Sequence, residues 1–452
     1  MSYSIVPPSS ASSVRVPRAQ RALFLAPLLA YASLGAAQPA PGTVDLLPTP
    51  PEITSSVAPN LMISFDDSGS MGRNYMPDRR PFDNNGWGGD DSQNFLGSAD
   101  YNSGRPWLCA GVIDPRVTDP ADIRSRPMNG VYYNPNADYQ PPYKADGVTL
   151  FPNASFSAAW DNGITANWPT NGANAVTTRN LGSGTRICGN SAGYYRLKSN
   201  VTLNVDANGN VTNTGTLYTA NNWEWVSLPA SERQNYANWY SYNHIRSLAA
   251  RSAVSRAVAP FDENIRVAWQ NFNSNRLASG TDIYKFVDVP ATNNVRSRFY
   301  DWLYTHPVRG GTPNQATTTR AGDFFTRNNG ARDENPYWDR DLNRELSCRQ
   351  NFHLNITDGL WNGGTVNTAT DDNAPSSQSL PDGRTYSTSD AQSQIMWNEP
   401  DAITNRTMAD IAWHYWRTDL RPDFAANVST RLKVPPFLPD RSTNLFGIPL
   451  GS

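Results

Sequence analysis

The run Leu61-Met62-Ile63-Ser64-Phe65 stops abruptly at Asp66-Asp67-Ser68-Gly69-Ser70. A short apolar run ended by turn residues is the pattern of a strand buried on both faces of a parallel sheet. Such a strand needs partner strands reached by crossovers, and helices to cover both sides. The chain supplies candidates for each. Alternating patterns at Ile265–Trp269 and Ile283–Val287, and the run Phe352–Ile356, predict strands. Apolar residues three and four apart predict a helix from Ser231 to Pro260, with Tyr236, Trp239, Tyr240, Ile245, Leu248, Ala249 and Ala253 on its buried side. Further helices are predicted over Val295–Leu303, from Gly310-Gly311-Thr312-Pro313 through Phe325, and from Thr407 through Trp416. Strands alternating with helices indicate an α/β open sheet.

Between the first strand and the first long helix, residues 73–235 change character. Asn, Gly, Pro, Trp and Tyr dominate, no helical period is sustained, and Asp206-Ala207-Asn208-Gly209 marks a hairpin turn. This stretch reads as a large irregular and β insertion after the first strand. The domain plan is therefore a discontinuous sheet domain, 59–72 and 236–425, interrupted by the 73–235 insertion and followed by a Pro-rich tail at 426–452.

Upstream, Arg15, Arg18 and Arg21 precede an apolar run from Ala22 to Leu34, with Gly35-Ala36-Ala37 after it. That order is the one of a secretory signal peptide, placed at 1–37, and the run broken by Pro27 is too short to span a bilayer. Residues 38–58 read as a linker. Export makes a disulfide the default for cysteines. Cys109 and Cys188 lie in the same irregular region and are expected to pair, leaving Cys348 over. The 38 basic and 40 acidic residues balance, which argues against nucleic acid as a partner. No later segment is long and apolar enough to be an integral membrane span.

Three segments gather the chemistry. Asp66 and Asp358 each follow an apolar strand, and Thr312 follows paired glycines at a helix start. Loops at the carboxyl ends of parallel strands converge on one crevice. Carboxylates and hydroxyls there form an all-oxygen donor set, which suits a hard divalent cation. Asp66-Asp67-Ser68-Gly69-Ser70, Gly310-Gly311-Thr312-Pro313 and Thr357-Asp358-Gly359 together resemble the three metal-ion-dependent adhesion site loops of a von Willebrand factor A domain. The resemblance implies that Asp66, Ser68, Ser70, Thr312 and Asp358 hold a divalent cation, Mg²⁺ first, with Ca²⁺ or Mn²⁺ as alternatives. It implies a Rossmann-like open sheet, in which an acidic group from a partner completes the metal shell.

A second set of segments narrows the family. Tyr132-Tyr133-Asn134-Pro135-Asn136, Lys144-Ala145-Asp146-Gly147 and Phe151-Pro152-Asn153-Ala154-Ser155-Phe156 lie in the insertion. Asp358-Gly359-Leu360-Trp361-Asn362 and Met408–Trp416 follow the third loop. With the export signal, these resemble the PilY family of type IV pilus tip and assembly proteins, from about residue 59 to 425. The resemblance implies an exported protein of a Gram-negative bacterium, in the periplasm in transit and then at the pilus tip or cell surface. It implies minor pilins as partners and an acidic surface ligand. The PilY family resemblance is to much longer chains. Residues 421–452 hold five prolines and no strand pattern, so the C-terminal strands of a full A domain are expected to be missing.

Two other readings compete. The histidines His244, His306, His353 and His414 fall in no catalytic motif, so a non-enzymatic protein is expected. The tryptophans Trp87, Trp107, Trp160, Trp168, Trp223 and Trp225 could instead stack on sugars, in an exported carbohydrate-binding protein or a glycoside-active enzyme. The plainer account is that they staple a charge-poor insertion by burial.

Overall fold

The computed structural model describes residues 57–74, 76, 124–168, 176–206, 212–213, 216, 219–273, 283–287, 294–328, 334–363, 366, 377–387 and 408–424, with gaps inside some of these ranges. The signal peptide, the linker up to residue 56, the tail, all three cysteines, Trp87 and Trp107 lie outside the described residues.

Twelve strands and six α-helices are described. The strands are β1 (Asn60–Phe65), β2 (Ala159–Trp160), β3 (Thr178–Arg179), β4 (Gly193–Leu197), β5 (Trp223–Ser227), β6 (Arg266–Asn271), β7 (Tyr284–Lys285), β8 (Trp338–Asp339), β9 (Arg344–Glu345), β10 (Asn351–Ile356), β11 (Ser377–Ser379) and β12 (Thr385–Ser387). The helices are α1 (Gly163–Asn167), α2 (Arg233–Asn243), α3 (Arg246–Val258), α4 (Val295–Thr305), α5 (Asn314–Phe324) and α6 (Met408–Arg417).

The largest sheet has four strands in the order β10-β1-β6-β7. Strand β1 runs parallel to both neighbours, with Phe65 opposite Ile356 on one side and Asn271 on the other. Strand β7 is antiparallel to β6 at the sheet edge. The alternation of side chains then sorts the faces. Ile63, Phe65 and Val267 join Leu248 and Val258 of α3 and Phe299, Trp302 and Leu303 of α4 in one core. Met62 and Ala268 point the other way and pack with Ala321 and Phe324 of α5. The result is three layers, helix on sheet on helix, as the buried apolar run of β1 predicts.

The helix expected from Ser231 to Pro260 is two helices. His244 and Ile245 separate them, and Ile245 is extended at φ −127° and ψ 157°. The His244 ring turns back on the Tyr240 carbonyl and stacks on the Tyr240 ring. The Arg246 amide instead donates to the Arg73 carbonyl at 3.0 Å. The amphipathic spacing continues through the break, which is why the pattern alone shows a single helix.

The insertion has its own aromatic core. Tyr132, Tyr133, Tyr194, Tyr236 and Trp239 are buried together, with ring centroids 4.9–5.8 Å apart where they touch. The aromatic hydroxyl and indole groups of this core find partners. The Tyr132 hydroxyl donates to the Gly193 carbonyl at 2.7 Å, and Trp239 Nε1 to the Val131 carbonyl at 3.0 Å. Helix α2 contributes to this core, while Tyr242 at its end belongs to the core of the main sheet. The tryptophans follow the stapling account: Trp223 is buried, Trp168 packs on Phe151 and Tyr304, Trp160 on Tyr242, and Trp225 under the Arg124 guanidinium. At the predicted hairpin, Thr212 donates its amide to Asn204, but residues 207–210 lie outside the described residues.

Helix α6 docks on α5 through Tyr415, whose hydroxyl donates to Asp323 at 2.6 Å and to the Thr319 carbonyl at 3.1 Å. The ring lies so close to Gly322 that a Cβ there would sit 2.3 Å from it. Gly322→Ala is therefore expected to loosen α6 while leaving the sheet folded. Hydrogen exchange should show lost protection confined to 408–417, whereas unchanged protection there would contradict this packing.

Candidate metal centre

Parallel pairing in register brings the ends of β1 and β10 to one edge. Phe65 faces Ile356, and the Asp66 amide donates to the Ile356 carbonyl at 2.8 Å. Asp66 and Thr357-Asp358 are thereby forced together. The Thr357 hydroxyl donates to Asp66 Oδ2 at 2.8 Å, and the Ser68 amide to Asp66 Oδ1 at 2.8 Å. The Ser68 and Ser70 hydroxyls lie 2.9 Å apart. Asp66, Asp67 and Ser68 are buried.

The Gly310-Gly311-Thr312-Pro313 loop is tied in by backbone and by two asparagines. The Gly69 amide donates to the Gly310 carbonyl at 3.1 Å, and the Arg309 amide to the Asp67 carbonyl at 2.6 Å. Asn273, just past β6, donates its amide and its Nδ2 to Asp67 Oδ1 at 2.9 and 3.0 Å, and Nδ2 also to the Gly311 carbonyl at 2.6 Å. Asn362 accepts the Thr312 amide at 2.8 Å and returns its own amide to the Thr312 carbonyl at 3.0 Å. Gly310 has φ +93°, and a Cβ there would lie 2.8 Å from the Asn273 side chain, so this close turn requires glycine.

The five residues expected at the site thus lie on three interlaced loops at one end of the sheet. The spacing does not single out Asn273, Asn362, Thr357 or Arg246. Asn362 and Thr357 sit inside motif segments, but Asn273 and Arg246 carry no local signal. Arg246, at the start of α3, places Nη1 2.7 Å from Asp358 Oδ2, with both side chains almost fully buried.

The electrostatics leave a deficit of positive charge. Burial, then the neighbouring Asp358 carboxylate, pushes the Asp66 carboxyl up to about 6, against the hydrogen bonds from Ser68 and Thr357 that pull it down. Asp358 Oδ1 is buried with no hydrogen-bond partner among the described residues. A buried carboxylate oxygen without a donor is costly unless something positive reaches it. Two neighbouring carboxylates and clustered hydroxyls fit a hard divalent cation chemically. Among the described residues no group of three or more His, Cys, Asp or Glu forms a metal cluster, so any cation here would rely on Ser and Thr oxygens as well.

The raised Asp66 carboxyl sets a pH dependence for the metal-free chain. Its folded value near 6 exceeds the ordinary 3.8, so folding takes up a proton between the two. The contribution of Asp66 to stability is then fully present below about 3.8 and is lost as pH rises through 6. Asp66→Asn should remove a penalty of about 3 kcal/mol at pH 8 in chelator, with the gain shrinking towards zero near pH 4. Urea unfolding at several pH values measures this. A variant less stable than the parent at pH 8 would contradict it.

No family model matches the chain, and no solved structure matches it. Three curated proteins do match, each named Type IV pilus biogenesis factor PilY1, from Pseudomonas aeruginosa. The chain is 31 % identical to the protein of strain PAO1 over 405 residues, and 31 % identical to that of strain PAK over 410 residues. Each match covers 85 % of this chain and 30 % of the relative. A third, from strain UCBPP-PA14, is also 31 % identical, over 82 % of this chain and 28 % of its own length. The chain thus spans under a third of the relatives it matches, and over that span it belongs to the PilY family.

Proposed function

We propose that this chain is the metal-dependent adhesive part of a type IV pilus biogenesis protein. It is read as a von Willebrand factor A-like domain whose three loops hold a divalent cation, Mg²⁺ first, and present it to an acidic group on a partner or surface. The observation that carries the reading is the buried Asp358 Oδ1 beside Asp66, which has no hydrogen-bond partner among the described residues. The strand order, with β1 central and an antiparallel edge strand, supports it as well. The relatives' printed name supplies the context of type IV pilus biogenesis; minor pilins as partners and a route through the periplasm to the pilus tip or cell surface are what the family resemblance implies.

When bound, the cation supplies a Lewis-acid link to an external carboxylate. The chain's own residues do the rest. Asp66 and Asp358 bring charge, Ser68, Ser70 and Thr312 bring neutral oxygens, and Asn273 and Asn362 hold the loops in place. Neutral hydroxyls leave the cation incompletely neutralised, which favours an anionic partner. The role is binding rather than catalysis. In keeping with that, His306 and His353 are in packing contacts. Burial keeps His306 neutral between Phe65 and Trp302 and lowers His353 to about 4, where its ring bonds Ser64 Oγ.

Mg²⁺ or Mn²⁺ at a hundred times its dissociation constant should stabilise the chain by about 2.7 kcal/mol. Asp66→Ala should remove that gain and abolish surface attachment by cells carrying the substitution in the whole protein, while export of the protein continues. An identical metal-dependent rise in the melting temperature of Asp66→Ala would sink the assignment.

A further inference from the structure

The Arg246–Asp358 pair is a buried ion pair inside an oxygen-rich site, and neither the motif nor the family resemblance assigns it a role. Its geometry is one-sided. Nη1 takes Asp358 Oδ2 at 2.7 Å, while Oδ1 has no donor among the described residues. The guanidinium is held where it is by the chain break at His244–Ile245. That break starts α3 at Arg246 and ties the Arg246 amide to the Arg73 carbonyl, next to the first loop. A continuous helix would not present this residue in that way.

We propose that Arg246 is a specificity-determining residue: a fixed internal cation that offsets the Asp358 carboxylate, so that the buried carboxylates around a bound divalent cation do not over-neutralise it and it takes an external carboxylate. This rests on the metal-site reading above. The arithmetic is simple. Asp66, Asp67 and Asp358 together would over-neutralise a divalent ion, and an external anion would then be repelled. With Arg246 paired to Asp358 the sum falls to zero, and that repulsion is removed in a desolvated place where charge interactions are strong. The same pairing leaves Oδ1 free for the metal while Oδ2 stays engaged, as ligating carboxylates are commonly fixed by a hydrogen bond from behind.

The test measures Mn²⁺ binding by water-proton relaxation, and then acetate binding to the Mn²⁺-saturated chain, in the parent, Arg246→Gln and Arg246→Lys. Circular dichroism checks folding. Arg246→Gln should bind Mn²⁺ at least as tightly as the parent but acetate at least tenfold more weakly. Arg246→Lys, which keeps the charge, should stay within about threefold of the parent for acetate. A Gln variant that binds acetate like the parent overturns the proposal while leaving the metal site standing, and so does one with weakened Mn²⁺ binding alone. If the Gln variant does not fold, a tenfold acetate loss in the Lys variant overturns it. A parent that binds no Mn²⁺ removes the metal site and this inference together.

Discussion

Strand β1 is paired on both sides along its whole length, and the rest of the described sheet domain is arranged by that fact. Parallel pairing obliges each neighbour to arrive by a crossover, so α3, α4 and α5 have to lie on the faces. It also puts the carboxyl ends of β1, β6 and β10 side by side. The three loops that follow those strands, together with the Gly310-Gly311 turn, therefore meet without any long reach of side chains. Phe65, Ile356 and Asn271 share one level of the sheet. Everything polar at the site lies just beyond that level.

What the loops then have to manage is buried charge. Asp66, Asp67 and Asp358 are taken out of water at one end of a dry sheet, and each is treated differently. Asp67 is satisfied by Asn273 and serves as a fastener between loops. Asp358 is half-satisfied by Arg246. Asp66 accepts two hydrogen bonds yet still has its carboxyl raised, because burial and Asp358 outweigh them. A fold selected for stability alone would replace such a pair by apolar side chains of similar size.

The face covered by α5 shows how the same sheet buries neutral polar groups in hydrogen bonds. Gln270 Nε2 donates to Ser64 Oγ and to the Thr317 carbonyl, both within 3 Å, and Arg320 caps Gln270 Oε1 at 3.1 Å. These bonds knit α5 to β1 and β6. On the insertion side the same task falls to tyrosine hydroxyls and indole nitrogens, which lets a charge-poor segment build a core from aromatics. Helix α2 belongs to both cores, so the insertion and the sheet domain share an element.

How far this could be read in advance differs by level. The central strand, its α/β setting, the helices over 295–305 and 314–324 and the strand ending at Ile356 were legible, because apolar period and turn residues are local. The five residues proposed for the site could be singled out as a set only through their motif order. The break at His244–Ile245 was not, since it follows from bonds to Tyr240 and Arg73 rather than from helix propensity. Asn273 and Arg246 were not either, because an asparagine or arginine becomes a site residue only when a distant carboxylate is folded against it.

The amino-acid sequence by itself determined the central strand and the strand ending at Ile356, the helices over 295–305 and 314–324, which residues carry oxygen donors, and the family to which the chain is similar. Tertiary structure alone decided which carboxylate is paired, which oxygen is left without a donor, and where the guanidinium lies. Those outcomes depend on burial and on contacts between residues up to 291 positions apart, such as Thr357 with Asp66. Such contacts leave no local pattern in the chain, because their energy comes from desolvation of groups that meet only once the sheet is closed.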